Sequence, residues 1–233
     1  MKTVNQSVMP VTAGINKSAH LTIGGCDTVE LASQYGTPLY VFDETTIRKI
    51  CREYKKAFSS YEKTNFLFSS KAFMTQATCM MMRQEGFGLE VVSGGEIFIA
   101  KSVDFPMSKL SFNGNAKTID EIILALDLGV GRIVVDNTYE LDLLCRIAKE
   151  KNKIAHIMLR ITPGIECHTH EYIKTGQLDS KFGFDLSQTD EAIELILKNK
   201  NICLHGLHAH IGSQVFETSP YYDEVGVILE EIA

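Results

Sequence analysis

The feature that most limits how this chain can fold is a recurring set of short apolar, β-rich runs. They begin at residues 65, 88, 109, 132, 155 and 203, and so are spaced by 23, 21, 23, 23 and 48 positions. The runs are Asn65–Ser70, Gly88–Val92, Lys109–Phe112, Arg132–Val135, Ala155–Ile161 and Cys203–Ile211, with an earlier one at Pro38–Phe42. Most are continuously apolar rather than alternating, which is the pattern of parallel strands covered on both faces. A strand, a short helix and two turns use roughly 20–25 residues, so the spacing reads as a βα series.

The segments between the runs carry the helical period. Thr45–Phe58 places Ile47, Ile50, Cys51, Tyr54 and Phe58 on one stripe, and Lys117–Leu128 opens with Thr118 three residues before Glu121, the spacing of a capping box. A helix opened at Thr138 turns Leu141, Leu144, Cys145 and Ala148 inward. Asp190 is expected to open another, with Ile193, Ile196 and Leu197 inward, and Pro220–Val225 to begin one that presents Val225, Ile228, Leu229 and Ile232 on a single face. The class is α/β, either a doubly wound sheet or a (β/α)8 barrel. Near-constant spacing, and no Gly-x-Gly-x-x-Gly directly after a strand, favour the barrel. The last helical pattern reaches Ala233 with no cap or closing strand, so the chain is expected to be the N-terminal part of a longer protein with an incomplete barrel.

Composition narrows the function classes. A chain of 233 residues that is 45% hydrophobic can bury one large core without staples. Lys+Arg 23 against Asp+Glu 29 gives a net charge of −6, which disfavours a general binder of nucleic acid or anionic membrane. No apolar run is long enough to span a bilayer, and Met1–Ala19 lacks the apolar core of a secretory signal. The cysteines form no Cys-x-x-Cys pair, so reduced thiols in a cytoplasmic protein are expected.

In a βα barrel the strand ends point functional groups into one mouth, so polar residues there carry the most information. Lys71 ends an apolar strand, where partial desolvation would let its amine form a Schiff base; a lysine snorkelling from the strand edge is the plainer alternative. Val92-Ser93-Gly94-Gly95-Glu96 is a tight strand-to-helix turn, and Asn113, Asn115 and Asp136 sit at two further strand ends. Arg160 stands in an otherwise apolar strand and needs an anion or a dense set of acceptors. After Pro163-Gly164 comes a long segment without a clear element, holding His168 and His170, which reads as a binding loop. By strand alternation His208 and His210 share one face. They suit either a metal pair completed by His168 or His170, or a flat aromatic cation stacked on a cofactor ring, with Gly212 and Ser213 donating to a phosphate.

These motifs, taken in order, resemble the diaminopimelate decarboxylases, enzymes of the alanine-racemase-like barrel group that use pyridoxal 5'-phosphate (PLP). The likeness runs from His20 to Ala233 and rests most on Arg160-Ile161-Thr162-Pro163-Gly164, on His170–Gly176 leading to Asp179–Gly183, and on Gly206–Gln214. It implies a PLP-binding (β/α)8 barrel over residues 38–233 and a preceding arm, residues 1–37, associated with a C-terminal β domain absent from this chain. It implies that Lys71 bonds the cofactor, His210 stacks on its ring, Arg160 stands beside the ring and Ser213 holds the phosphate, with no metal. The implied reaction is decarboxylation of meso-diaminopimelate to lysine in a homodimer whose active sites are shared across the interface. Alternatives are another basic amino acid, a carboxylated polyamine precursor, or a PLP-binding relative with impaired catalysis. Two departures bear on the last: Phe73 stands where the family has an asparagine, and Glu90 where it has an aspartate.

Overall fold

The computed structural model describes residues 8–165, 182–213 and 215–233, and the chain divides into two compact units, Met1–Phe66 and Leu67–Ala233. In the first, β1 (Gly14–Ile15), β2 (Leu21–Ile23) and β3 (Cys26–Asp27) make an antiparallel sheet. Helices α1 (Thr28–Tyr35) and α2 (Glu44–Ala57) follow. Asp27 caps α1 by accepting from the Val29 and Glu30 N–H groups. Its second oxygen meets His20 Nδ1 at 2.8 Å.

One expectation for this unit needs correction. Pro38–Phe42 is not a strand but irregular backbone, and Tyr40 is 89% exposed. An apolar run becomes a strand only where a neighbour takes its N–H and C=O groups, and none of the described strands pairs with it. The stripe expected on α2 is present in spacing, but only Cys51 is buried, while Ile50, Tyr54 and Phe58 are exposed.

The second unit is built on parallel strands β4 (Leu67–Ser69), β5 (Gly88–Val91), β6 (Leu110–Phe112), β7 (Arg132–Val135), β8 (Ala155–Thr162) and β10 (Ile202–His208). Each pairs with the next in chain order, and a short β9 (Phe184–Asp185) pairs with the end of β8. Helices α3 (Gln76–Gln84), α4 (Gly94–Ser102), α5 (Ile119–Leu128), α6 (Thr138–Glu150), α7 (Leu186–Leu197) and α8 (Ser219–Ile232) alternate with them. A strand order without reversal is the winding of a barrel; a doubly wound sheet turns back at its middle. Among the described residues β4 and β10 are the two ends of this path, so the barrel is incomplete.

Alternation along each strand sorts the side chains. Leu89, Val91, Phe112, Ile133, Ile157 and Leu159 are at most 2% exposed. Ile97, Ile122, Leu144 and Ile196 of the helices are buried too, so the core lies between sheet and helices. The other set mixes polar groups with Val134 and Met158. Glu90 pairs across to Ser111 and Ser111 to Arg132, while His156 and Arg160 occupy the matching parity on β8. Gly131 is required where the chain enters β7, since a Cβ there would lie 2.0 Å from the Ser108 carbonyl oxygen.

Helix starts follow the caps. Thr118 and Glu121 form the expected capping box, and Gly129 closes α5 in the left-handed conformation. Helix α6 is capped by Asn137, one residue before the expected Thr138. Helix α7 begins at Leu186, not Asp190, because Asp185 and Gln188 make a second capping box; Leu197, expected to face inward, is 74% exposed. On α8, Val225, Leu229 and Ile232 are all more than half exposed. No helix among the described residues is long and apolar enough to cross a membrane.

Candidate active site

Five strands deliver side chains to one pocket of about 420 Å³. Lys71 lies two residues past β4. Glu90 is within β5, Asn113 follows β6, Arg160 is within β8, and His210 and Ser213 follow β10. All are at or near the C-terminal ends of their strands, where parallel barrels place their chemistry. Lys71, Arg160, His210 and Ser213, the four residues singled out in the sequence, therefore line the same space.

Hydrogen bonds hold the wall at the ends of β5, β6 and β8. Arg160 Nη1 donates to Asp136 Oδ1 at 3.1 Å, and its guanidinium carbon lies 5.0 Å from the centre of the Phe182 ring. Arg160 is 7% and Asp136 3% exposed, so the cation is desolvated and aimed from a fixed base. Asn113 Nδ2 donates to Glu90 Oε1 at 3.2 Å, and Asn113 Oδ1 accepts from the Gly114 N–H at 2.8 Å. Gly114 has φ +124°, and a Cβ on it would sit 3.3 Å from the Val92 carbonyl oxygen, so this turn takes glycine. Glu96 accepts from the Val92 N–H at 2.6 Å and Glu121 from the Gly94 N–H at 2.7 Å, fixing the Ser93–Glu96 turn.

The two histidines of the late strand separate. Strand β10 ends at His208, so alternation does not govern His210. His210 faces the pocket, and its imidazole pKa is lowered to about 4 by burial, then by the charges of Lys71 and Arg160. The flat cation considered from the sequence is thus a neutral ring. His208 lies behind the pocket wall, its Nε2 3.4 Å from Asn113 Nδ2. Burial, then Arg160, His210 and Lys117, lower it to about 3. With Lys71, Arg160 and Lys117 acting on this pair, the local field opposes a divalent metal. His168 and His170, the ligands considered to complete such a site, lie outside the described residues.

A different trio could offer metal ligands: His156, Cys203 and His205 bring their ligand atoms within 4.8 Å of one another. It belongs to the opposite, N-terminal ends of β8 and β10. His156 Nδ1 and His205 Nε2 already share a hydrogen bond at 2.8 Å, and burial, then the charges of His156 and Arg132, lower the His205 pKa.

Of the two departures from the family pattern, Glu90 lines the pocket and Phe73 does not. Two residues of the site were not singled out from the sequence: Lys117, whose side chain is 1% exposed against Glu140 at 5%, and Phe182, which lines the pocket and covers Arg160. The signal for Lys117 was its place directly after the Asn113–Ala116 turn; nothing local distinguished it from a solvated lysine at a helix start.

Comparison with known proteins bears on what this pocket is. The chain is 46% identical over 224 residues to the diaminopimelate decarboxylase of Bacillus methanolicus, covering 95% of this chain and 52% of that protein. It is 47% identical over 213 residues to that of Bacillus subtilis, covering 90% and 48%. The chain therefore spans about half the length of these curated relatives. The crystal structure of the diaminopimelate decarboxylase from M. jannaschii in complex with L-lysine superposes with a TM-score of 0.85 at 35% identity, over 95% of this chain and 53% of that one. Residues 44–231 match the family described as pyridoxal-dependent decarboxylase, pyridoxal binding domain, and the chain belongs to that family.

Proposed function

We propose that the protein acts as a diaminopimelate decarboxylase, removing carbon dioxide from meso-2,6-diaminopimelate to give L-lysine, with PLP held in the pocket described above. The observation that carries this reading is the convergence of Lys71, Arg160, His210 and Ser213 on one cavity, in a chain 46–47% identical to curated enzymes of that activity.

The residues fit a phosphorylated pyridine aldehyde. A primary amine, a guanidinium, a hydroxyl and a neutral aromatic ring border the same space, and 420 Å³ suits a small cofactor and part of a substrate. Among the described residues, Lys71 and Arg160 are opposed on the wall by one carboxylate, that of Glu90, so this lining favours an anion. Lys71 Nζ would hold the aldehyde covalently, Ser213 Oγ would donate to the phosphate, and the His210 ring would stack on the pyridine face. When bound, PLP supplies the electron sink that lets a carboxylate leave an amino acid's α-carbon.

The chain's own groups prepare that chemistry. Asp136 and Phe182 fix the Arg160 guanidinium so that it does not have to be ordered on binding. His210 is neutral, so it adds no charge to a pocket that already holds two cations. Glu90, steered by the Asn113 amide, presents a carboxylate to the interior. In this reading residues 38–233 form the PLP-binding domain and the arm of residues 1–37 associates with a C-terminal β domain. The assembled enzyme is a cytoplasmic homodimer with shared active sites.

The test uses the full-length protein. Borohydride reduction after incubation with PLP should leave a pyridoxyl group on the peptide containing Lys71, and Lys71→Ala should abolish it. The parent should release carbon dioxide and lysine from meso-diaminopimelate. A label on another lysine would refute the assignment of Lys71, and turnover confined to ornithine or arginine would refute the substrate.

A further inference from the structure

The geometry points to Lys117 as a positioning residue for the cofactor pocket, acting through the backbone of the Asn113–Ala116 turn. The inference rests on the reading of the pocket as a PLP site. Gly114, Asn115 and Ala116 line that pocket, and Lys117 is the next residue in the chain. Its side chain turns away from the cavity into the protein. Lys117 Nζ donates to the Gly114 carbonyl at 2.6 Å, to the Val134 carbonyl at 2.6 Å and to Glu140 Oε1 at 2.7 Å. An ammonium has three protons, and all three are spent. The same nitrogen lies 5.5 Å from the centre of the Phe112 ring.

These partners come from three places: the turn after β6, the end of β7, and the first turn of α6. One buried cation thus fastens the pocket wall to the neighbouring strand and helix. Burial pushes the lysine pKa down, and Glu140, followed by Asp136, pushes it back up. Glu140 is the mirror case, pushed up by burial and back down by Lys117. The two charges stabilise each other where neither would be tolerated alone. Asp136 also holds Arg160, so both the Asn113–Ala116 wall and the guanidinium opposite are set by one buried charge cluster.

A surface or purely structural ion pair would not need its ammonium bonded to the carbonyl of a residue that lines the cavity. Gly114 has no side chain through which to be steered, so its position is set by its backbone bonds alone. Losing the Gly114 contact frees the turn to shift, and hydrogen-bond donors displaced from a bound phosphoaldehyde lose most of their value.

The test is made in the full-length enzyme with Lys117→Met, and with the double variant Lys117→Met/Glu140→Met. The single variant strands Glu140 and is expected to lower the melting temperature of the apoprotein. The double variant removes both charges together and leaves only the Gly114 and Val134 carbonyls and the Asp136 N–H short of a partner, so its apoprotein should melt above that of the single variant. Yet it should bind PLP about 10-fold or more weakly, with an altered induced circular dichroism of the bound chromophore. Parental PLP affinity and dichroism in the double variant would overturn the inference. So would a loss of affinity that only tracks a fall in apoprotein melting. Failure of the underlying reading shows differently, since the parent enzyme itself would then take up no PLP.

Discussion

Glu121 offers the most quantitative test of how the turns beneath the pocket are held. Its carboxylate accepts from the Gly94 N–H at 2.7 Å, the Thr118 N–H at 3.0 Å and the Thr118 hydroxyl at 2.9 Å. Two of these donors open different helices, so one anion serves the starts of both α4 and α5. Glu121→Ala removes all three hydrogen bonds at once. A hydrogen bond to a charged group contributes about 1.5–3 kcal/mol, and a lost capping contact costs about 1 kcal/mol, so the variant should lose about 3 kcal/mol. Thr118→Ala, which spares the Gly94 bond, should lose about 1 kcal/mol. Urea unfolding of the full-length protein measures both, and amide exchange at Gly94 assigns the loss to the shared carboxylate. Burial pushes the Glu121 carboxyl up, but the Gly94 and Thr118 donors and the Lys117 charge outweigh it, and its pKa lies below the ordinary 4.5. A depressed pKa stabilises the fold above the unfolded value and loses that contribution as pH falls through the folded one. The gap between parent and Glu121→Ala should therefore be constant near neutrality and shrink below about pH 4.5. Equal losses in Glu121→Ala and Thr118→Ala would refute the shared-anion account.

Three further outcomes follow from the site. His208 and His210 are held to about 3 and about 4, below the ordinary 6.5, so the unfolded chain binds more protons than the folded one in the interval between. Their contribution to stability should be complete above pH 6.5 and decline as the pH is lowered through that interval; histidine NMR titrations with transitions near 6.5 for both would contradict this. Asp136→Ala should cost about 3 kcal/mol by stranding the buried Arg160, and Asp136→Asn less because an acceptor survives, as read by thermal melting of the apoprotein. His210→Ala should weaken PLP retention without moving the Lys71 adduct, measured by dialysis and peptide mapping; undiminished retention would remove the stacking role.

What could be read from the sequence was whatever depends on short-range pattern. The spacing of the apolar runs located the six strands of the main path, because a parallel strand covered on both faces has to be apolar along its length. Thr118 with Glu121 located a helix start, since both partners of a capping box lie within one turn. Pro38–Phe42 misled because apolarity does not supply a pairing partner. Asp190 misled because Asp185, five residues earlier, was free to cap and Leu186–Thr189 could continue the turn. His210 was placed by an alternation that stops at His208. Lys117 was invisible for a different reason. Its carboxylate partner, Glu140, is 23 residues away in the chain and reads locally as an acid in a helix's first turn. Pairing of that kind exists only once β6, β7 and α6 are packed.

The unbroken strand order has a consequence for biosynthesis. Because each strand of the main path docks on the one made just before it, the sheet can grow by addition as the polypeptide leaves the ribosome. Lys71 arrives with the first of these strands and His210 just after the last. If PLP is held as proposed, its amine and its stacking ring come together only once β10 has docked, so capture of the coenzyme would have to follow that step.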